Sequence, residues 1–159
     1  MPDQWCLAPL NVSEKRMARR LIKRLNRDGG SCGYLLGDGY YDDSILHDVA
    51  AQANHQLLAP RQHPNSDLGH HYQSKHRLRA IKMLEVSASV DPFGHELFRH
   101  RKRIECDFGN LCGYGGGLTS MLPSWVRRPW RVRNWVHGKL LLNASRIRCL
   151  RRKKKVAHA

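Results

Sequence analysis

Two short apolar runs set the limits on what this chain can fold into. "GYLLGDG" is closed on both sides by glycines and has the pattern of a buried strand, and "HQLLAPR" reads as one more short strand. Between them "SILHDVAAQAN" reads as a helix, with Asp43 or Ser44 placed to cap it. Upstream, "QWCLAPL" suggests a strand that stops near Pro9, after which Asn11 and Glu14 stand in the spacing of a capping box. Met17, Leu21 and Leu25, with Ala18 and Ile22 beside them, form an apolar stripe at helical spacing that Gly29 and Gly30 end. Strand, helix, strand, helix is the rhythm of an α/β fold.

Beyond the second run, residues 62–79 are rich in His, Asn, Ser, Gly and Arg without periodicity and read as a long loop. "HELFRHRKRIECDFGNLCG" returns to helix, the glycines of 113–117 break it, and residues 131–150 form a last basic helix preceded by Pro129. A chain of 159 residues has room for one core, so residues 1–150 are expected to form one domain, with 151–159 as a basic tail.

Lys and Arg number 28 against 13 acids, a formal net charge of +15, and such a field attracts polyphosphates, nucleic acid first among them. The five cysteines are scattered and lack any Cys-x-x-Cys pair, which argues against a disulfide framework or a zinc cage and fits a reducing cytosol. The first ten residues lack the layout of a signal peptide, and "KLLLNA" is far short of a membrane span, so a soluble cytoplasmic protein without a membrane partner is expected.

In so basic a chain the acids of "GYLLGDGYYDDS" stand out. Asp38, at the carboxyl end of a strand and followed by glycine, has the address of a rigidly held ligand for a hard divalent cation, or else of a plain turn residue. Asp42 and Asp43 read as turn and cap residues. In "FRHRKRIECDFGNLC", Phe98, Arg101, Glu105 and Cys112 recur at three, four and seven residues, which lines them along one helix face. Arg101, one turn before Glu105, can hold a phosphate while the carboxylate holds a metal, or the two can form an ordinary ion pair.

Taken together, these two segments resemble the DDE transposases of bacterial insertion sequences, in the group with a Tyr-x2-Arg-x3-Glu-x6-Lys signature. "GDGYYDDS" is similar to the family's second-aspartate motif and "FRHRKRIECDFGNLC" to its signature helix, and the similarity extends through "LAPLNVSEKRMARRLI" and "VRNWVHGKLLLNASRIR" to nearly the whole chain. The resemblance implies a partial ribonuclease-H-like fold, a mixed sheet flanked by helices, lacking its first strands and ending in a basic helix. It implies Asp38 and Glu105 as ligands of a two-Mg²⁺ site and Arg101 as a catalytic, phosphate-facing residue. The implied reaction is phosphodiester hydrolysis at a transposon end, followed by attack of the freed 3′-hydroxyl on target DNA. Contacts to DNA are expected from Arg101, Lys102, Arg131, Arg133 and Lys139. Phe98 replaces the signature tyrosine and Cys112 its lysine, whose charge Lys102 could supply. The family's first aspartate lies on a strand upstream of this chain's beginning, and Asp3 is a poor substitute. The implied protein is therefore a truncated or split copy, completed by a separate amino-terminal half or a homodimer.

Two alternatives from other classes stay open: a noncatalytic DNA-binding fragment that regulates transposition, and a generic basic RNA-binding module. "SWVRRPWRVRNWV" interleaves Trp125, Trp130 and Trp135 with arginines, a pattern open to base stacking, with core packing expected of at least two of the rings. "RIRCLRRKKK" is either a nonspecific phosphate contact or a solvated terminus. His63, His70, His71 and His76 lie in the expected loop without a nearby cysteine, a weak zinc motif, and "GYGGGL" follows a helix and so lacks the geometry of a phosphate cradle.

Overall fold

The computed structural model describes residues 6–9, 11–25, 32–113, 122, 126 and 128–157. The chain divides into two compact units, residues 8–101 and residues 102–159 with 1–7.

In the unit of residues 8–101, α1 (Glu14–Leu25) leads to β1 (Gly33–Leu36), a single 3₁₀ turn (Gly39–Tyr41), α2 (Ser44–Gln52) and β2 (His55–Leu58). Two helices follow, α3 (Lys75–Glu85) and α4 (Pro92–Arg99). The strands pair in parallel with Leu35 opposite Leu57 and Leu36 opposite Leu58, and the segment holding α2 is the crossover that a parallel pair needs. Side chains alternate across the pair. Leu35 and Leu57 join Ile22 and Ala18 of α1 and Leu46 and Ala50 of α2 in one core. On the other face Tyr34 meets Phe93 of α4 edge to face at 5.7 Å, and the Gln56 amide donates to the His76 carbonyl of α3 at 2.9 Å. The fold among the described residues is thus mixed α/β, a two-stranded parallel sheet with helices against both faces.

Several expectations need correction. The described part of the expected first strand, residues 6–9, has no regular structure. Asn11 does not cap α1: a turn in which the Val12 N–H bonds the Pro9 carbonyl takes up that residue, and the first helical bond is accepted by the Ser13 carbonyl from Met17. The loop expected over 62–79 ends at Ser74, whose hydroxyl caps α3 by accepting the N–H groups of His76 and Arg77. The single helix expected around Arg101 is two, α4 and α5 (Arg101–Gly113), separated at His100, whose N–H closes a short bond to Leu97.

Gly94 is what lets α4 lie against α3. A Cβ at that position would stand 2.2 Å from the Met83 carbonyl oxygen and 2.9 Å from its carbon, both backbone atoms that cannot swing aside. Helix propensity alone favours alanine over glycine by about 1 kcal/mol. Overpacking costs about 1–3 kcal/mol and occasionally more, so the clash wins and Gly94→Ala is expected to lower stability. Gly138→Ala, where no atom lies within 4 Å, should move the other way. Urea unfolding of both variants checks the pair, and a stabilised Gly94→Ala would refute the close approach.

In the other unit, α6 (Pro129–Ala157) starts where Pro129 needs no N–H partner, and the Arg128 carbonyl accepts from Arg131 and Val132. It runs for 29 residues, so the boundary expected at residue 150 falls inside a helix. Leu140 and Val126 are buried there. Trp130 is 56% exposed, Trp135 is half-buried and Trp125 lies outside the described residues. Residues 26–31 and 114–121, with Gly29, Gly30 and Gly115 to Gly117, also lie outside them, while Gly113 is the last residue of α5. No described helix is long and apolar enough to cross a membrane.

Candidate functional site

The parallel ladder ends where the Gly37 N–H donates to the Leu58 carbonyl at 2.9 Å. Asp38 follows in extended conformation, and its Oδ1 accepts the Tyr40 N–H at 3.0 Å, capping the 3₁₀ turn. The residue is exposed, and Oδ2 has no hydrogen bond among the described residues. Both readings of Asp38 therefore have a physical basis: one oxygen holds the turn and the other faces solvent.

Next to it lies the Tyr41 phenol, raised above its ordinary value by burial first and then by the charges of Glu14 and Asp38. Two carboxylates thus act on one hydroxyl at the end of β1. Glu14, read from the sequence as a capping residue, is the member of this group that local pattern missed. The Lys15 ammonium stands 5.1 Å above the Tyr40 ring and 3.8 Å from Asp43. Among the described residues no group of three or more His, Cys, Asp or Glu is placed to hold a metal ion.

The neighbouring acids are committed elsewhere. Asp43 caps α2 by accepting the Leu46 N–H at 2.9 Å and pairs with Lys15 and Arg19 of α1, as a cap residue should. Asp42 is an anchor between distant segments: its side chain, 2% exposed, takes Arg77 Nε at 2.6 Å and Nη2 at 2.7 Å and the Gln62 N–H at 3.2 Å. Burial alone would raise this carboxyl, but the hydrogen bonds from Arg77 and Gln62, with the Arg77 charge, hold it below its ordinary value. Beside this pair His47 is 1% exposed, with neither ring nitrogen hydrogen-bonded among the described residues.

Of the residues expected on the signature helix, Phe98 lies on α4 and Arg101 opens α5, with the guanidinium 5.9 Å from the Phe98 ring centroid across the break at His100. Lys102 and Glu105 are exposed on α5. Asp38 and Arg101 belong to the unit of residues 8–101, and Lys102 and Glu105 to the other. The Cys112 side chain and Asp3 lie outside what is described.

On α6, Arg133 is exposed and Arg131 is half-buried over the Trp130 ring at 5.2 Å. Lys139, expected among the DNA contacts, is 8% exposed, with its ammonium 5.6 Å from the Trp135 ring centroid. Burial against an indole face suits a long aliphatic stem with a cationic tip. His63, His70 and His71 are exposed on the 62–73 loop, and His76 is on α3. Comparison of the chain with known protein families, with curated proteins and with solved structures finds no match.

Proposed function

We propose that this chain is the carboxyl-terminal part of a DDE-type transposase catalytic domain with a ribonuclease-H-like arrangement, acting on DNA in the bacterial cytosol. The observation that carries this reading is the address of Asp38, an exposed carboxylate at the carboxyl end of a strand whose parallel neighbour follows across one helix. The order of helix, strand, acid, helix, strand and later helix bearing Arg101 and Glu105 adds support. Asp38 and Glu105 supply hard oxygen donors of the kind Mg²⁺ takes, and bound Mg²⁺ would polarise the scissile phosphate and generate the attacking hydroxide. A two-metal site needs further carboxylates, and in this reading the family's first aspartate supplies one, from whichever polypeptide carries it. Arg101 would hold a phosphate through its guanidinium fork.

The test is nicking of duplex DNA carrying the element's inverted repeats, with Mg²⁺ or Mn²⁺ and the upstream-encoded segment co-expressed. Asp38→Ala and Glu105→Ala should each bring nicking to background while DNA binding persists. Nicking that survives both changes would remove the assigned site.

A second reading, a noncatalytic DNA-binding fragment that regulates transposition, is favoured by α6, where Arg133 is exposed one turn after the exposed Trp130 and Arg148 is exposed further along the helix. It predicts salt-dependent binding to the element's ends with no nicking under any metal condition.

A further inference from the structure

Helix α1 carries six basic residues against a single acid, and the fold uses them in two ways. Lys15 and Arg19 turn toward Asp43 and, among the described residues, are the helix's ion-paired cations. Arg16, Arg20, Lys23 and Arg24 are all exposed. At 3.6 residues per turn these four fall within an arc of about 100°, opposite Ala18 and Ile22, which pack into the core. The lone acid, Glu14, is exposed at the first position of the helix, outside that arc, and its charge acts on Tyr41. The cationic row, about 12 Å from Arg16 to Arg24 at 1.5 Å per residue, is therefore not neutralised by its own helix. Its amino-terminal end lies beside the 3₁₀ turn, since Lys15 stands over Tyr40, one residue beyond Gly39 and two beyond Asp38.

The geometry points to a binding site for the sugar-phosphate backbone of duplex DNA along the outer face of α1, leading the duplex toward Asp38. Charge decides the class of ligand: duplex DNA carries one phosphate charge per about 1.7 Å of axis, so several fall within reach of this row. The apolar side of α1 is committed to the core, which leaves none to enter a bilayer. The row has no aromatic ring on which an unpaired base could stack, so it reads charge and not sequence. The choice of DNA over RNA rests on the transposase reading above. None of the four residues was singled out by the motifs of that family.

Binding of a fluorescently labelled DNA duplex by the full chain, read by anisotropy without divalent metal, tests the site at several salt concentrations. The variant Arg16→Gln/Arg20→Gln/Arg24→Gln should bind at least about tenfold more weakly at moderate salt. It should also lose about 2.7 from the slope of log K against log salt, about 0.9 for each contact removed. A variant removing the same charge from exposed positions of α3, Lys75→Gln/Arg79→Gln/Lys82→Gln, should lose less than about 1. Arg→Lys at the three α1 positions should keep most of the affinity, which separates lost charge from lost folding. Equal losses from the α1 and α3 variants would overturn the site, and tighter binding of an RNA duplex or of anionic vesicles would overturn DNA as its occupant. Because metal is absent, the result stands or falls separately from the nicking assay.

Discussion

Arg77→Ala is expected to destabilise the unit of residues 8–101 by about 3–5 kcal/mol, a large share of the roughly 5–15 kcal/mol by which folded proteins are ordinarily stable. The Asp42 carboxylate is 2% exposed on its side chain and receives two short, charge-assisted bonds from the guanidinium, so deleting Arg77 leaves a buried anion with one backbone donor, the Gln62 N–H. Asp42→Asn reverses the fault, stranding a guanidinium that is 14% exposed. Three pieces of chain meet here: the 3₁₀ turn through Asp42, the loop after β2 through Gln62, and the first turn of α3 through Arg77, which also donates to Gln73. The double variant Asp42→Asn/Arg77→Ala should be less damaging than the sum of the singles, with a coupling of up to about 3 kcal/mol. Urea midpoints of the four proteins measure it, and single variants that each cost under about 1 kcal/mol would mean that the pair is solvated.

This pair also marks the limit of what sequence pattern could deliver. Asp43 as a cap, the two strands and the buried stripe of α1 were readable because each is written within a few residues, where helix and strand periods and cap chemistry operate. Asp42 and Arg77 are 35 positions apart, and no local spacing announces a partner at that distance. Ser74 did offer a cap signal, but a basic, His-rich surrounding hid the helix it starts. The break at His100 has no glycine or proline to betray it, which is why Phe98 and Arg101 were read as neighbours on one helix. Asp38 was readable as an address but not as a role, since the same position serves a turn and a ligand.

Lowering the pH from about 6.5 to 4 should remove about 3 kcal/mol of stability through His47 alone. Burial pushes this imidazole from its usual 6.5 down to about 4, opposed in part by Asp42 and reinforced by Arg77. The folded protein then keeps the ring neutral where the unfolded chain takes up a proton, so the unfolded state binds more protons throughout that window and stability rises with pH. The contribution is complete above 6.5, falls as the pH drops toward 4, and is lost below it; at 1.36 kcal/mol per pKa unit the drop is about 3 kcal/mol. Asp42 acts in a separate window, its contribution being present above 3.8 and lost only below that value. Urea unfolding at pH 7, 5.5 and 4.5 should show the slope in the wild type and its near absence in His47→Leu, which puts an apolar side chain where neither ring nitrogen had a hydrogen bond among the described residues. The same slope in both proteins would place the acid sensitivity on another group. A steep loss confined to the wild type would mean that one buried ring on α2, beside the Asp42–Arg77 pair, carries the acid sensitivity of the fold.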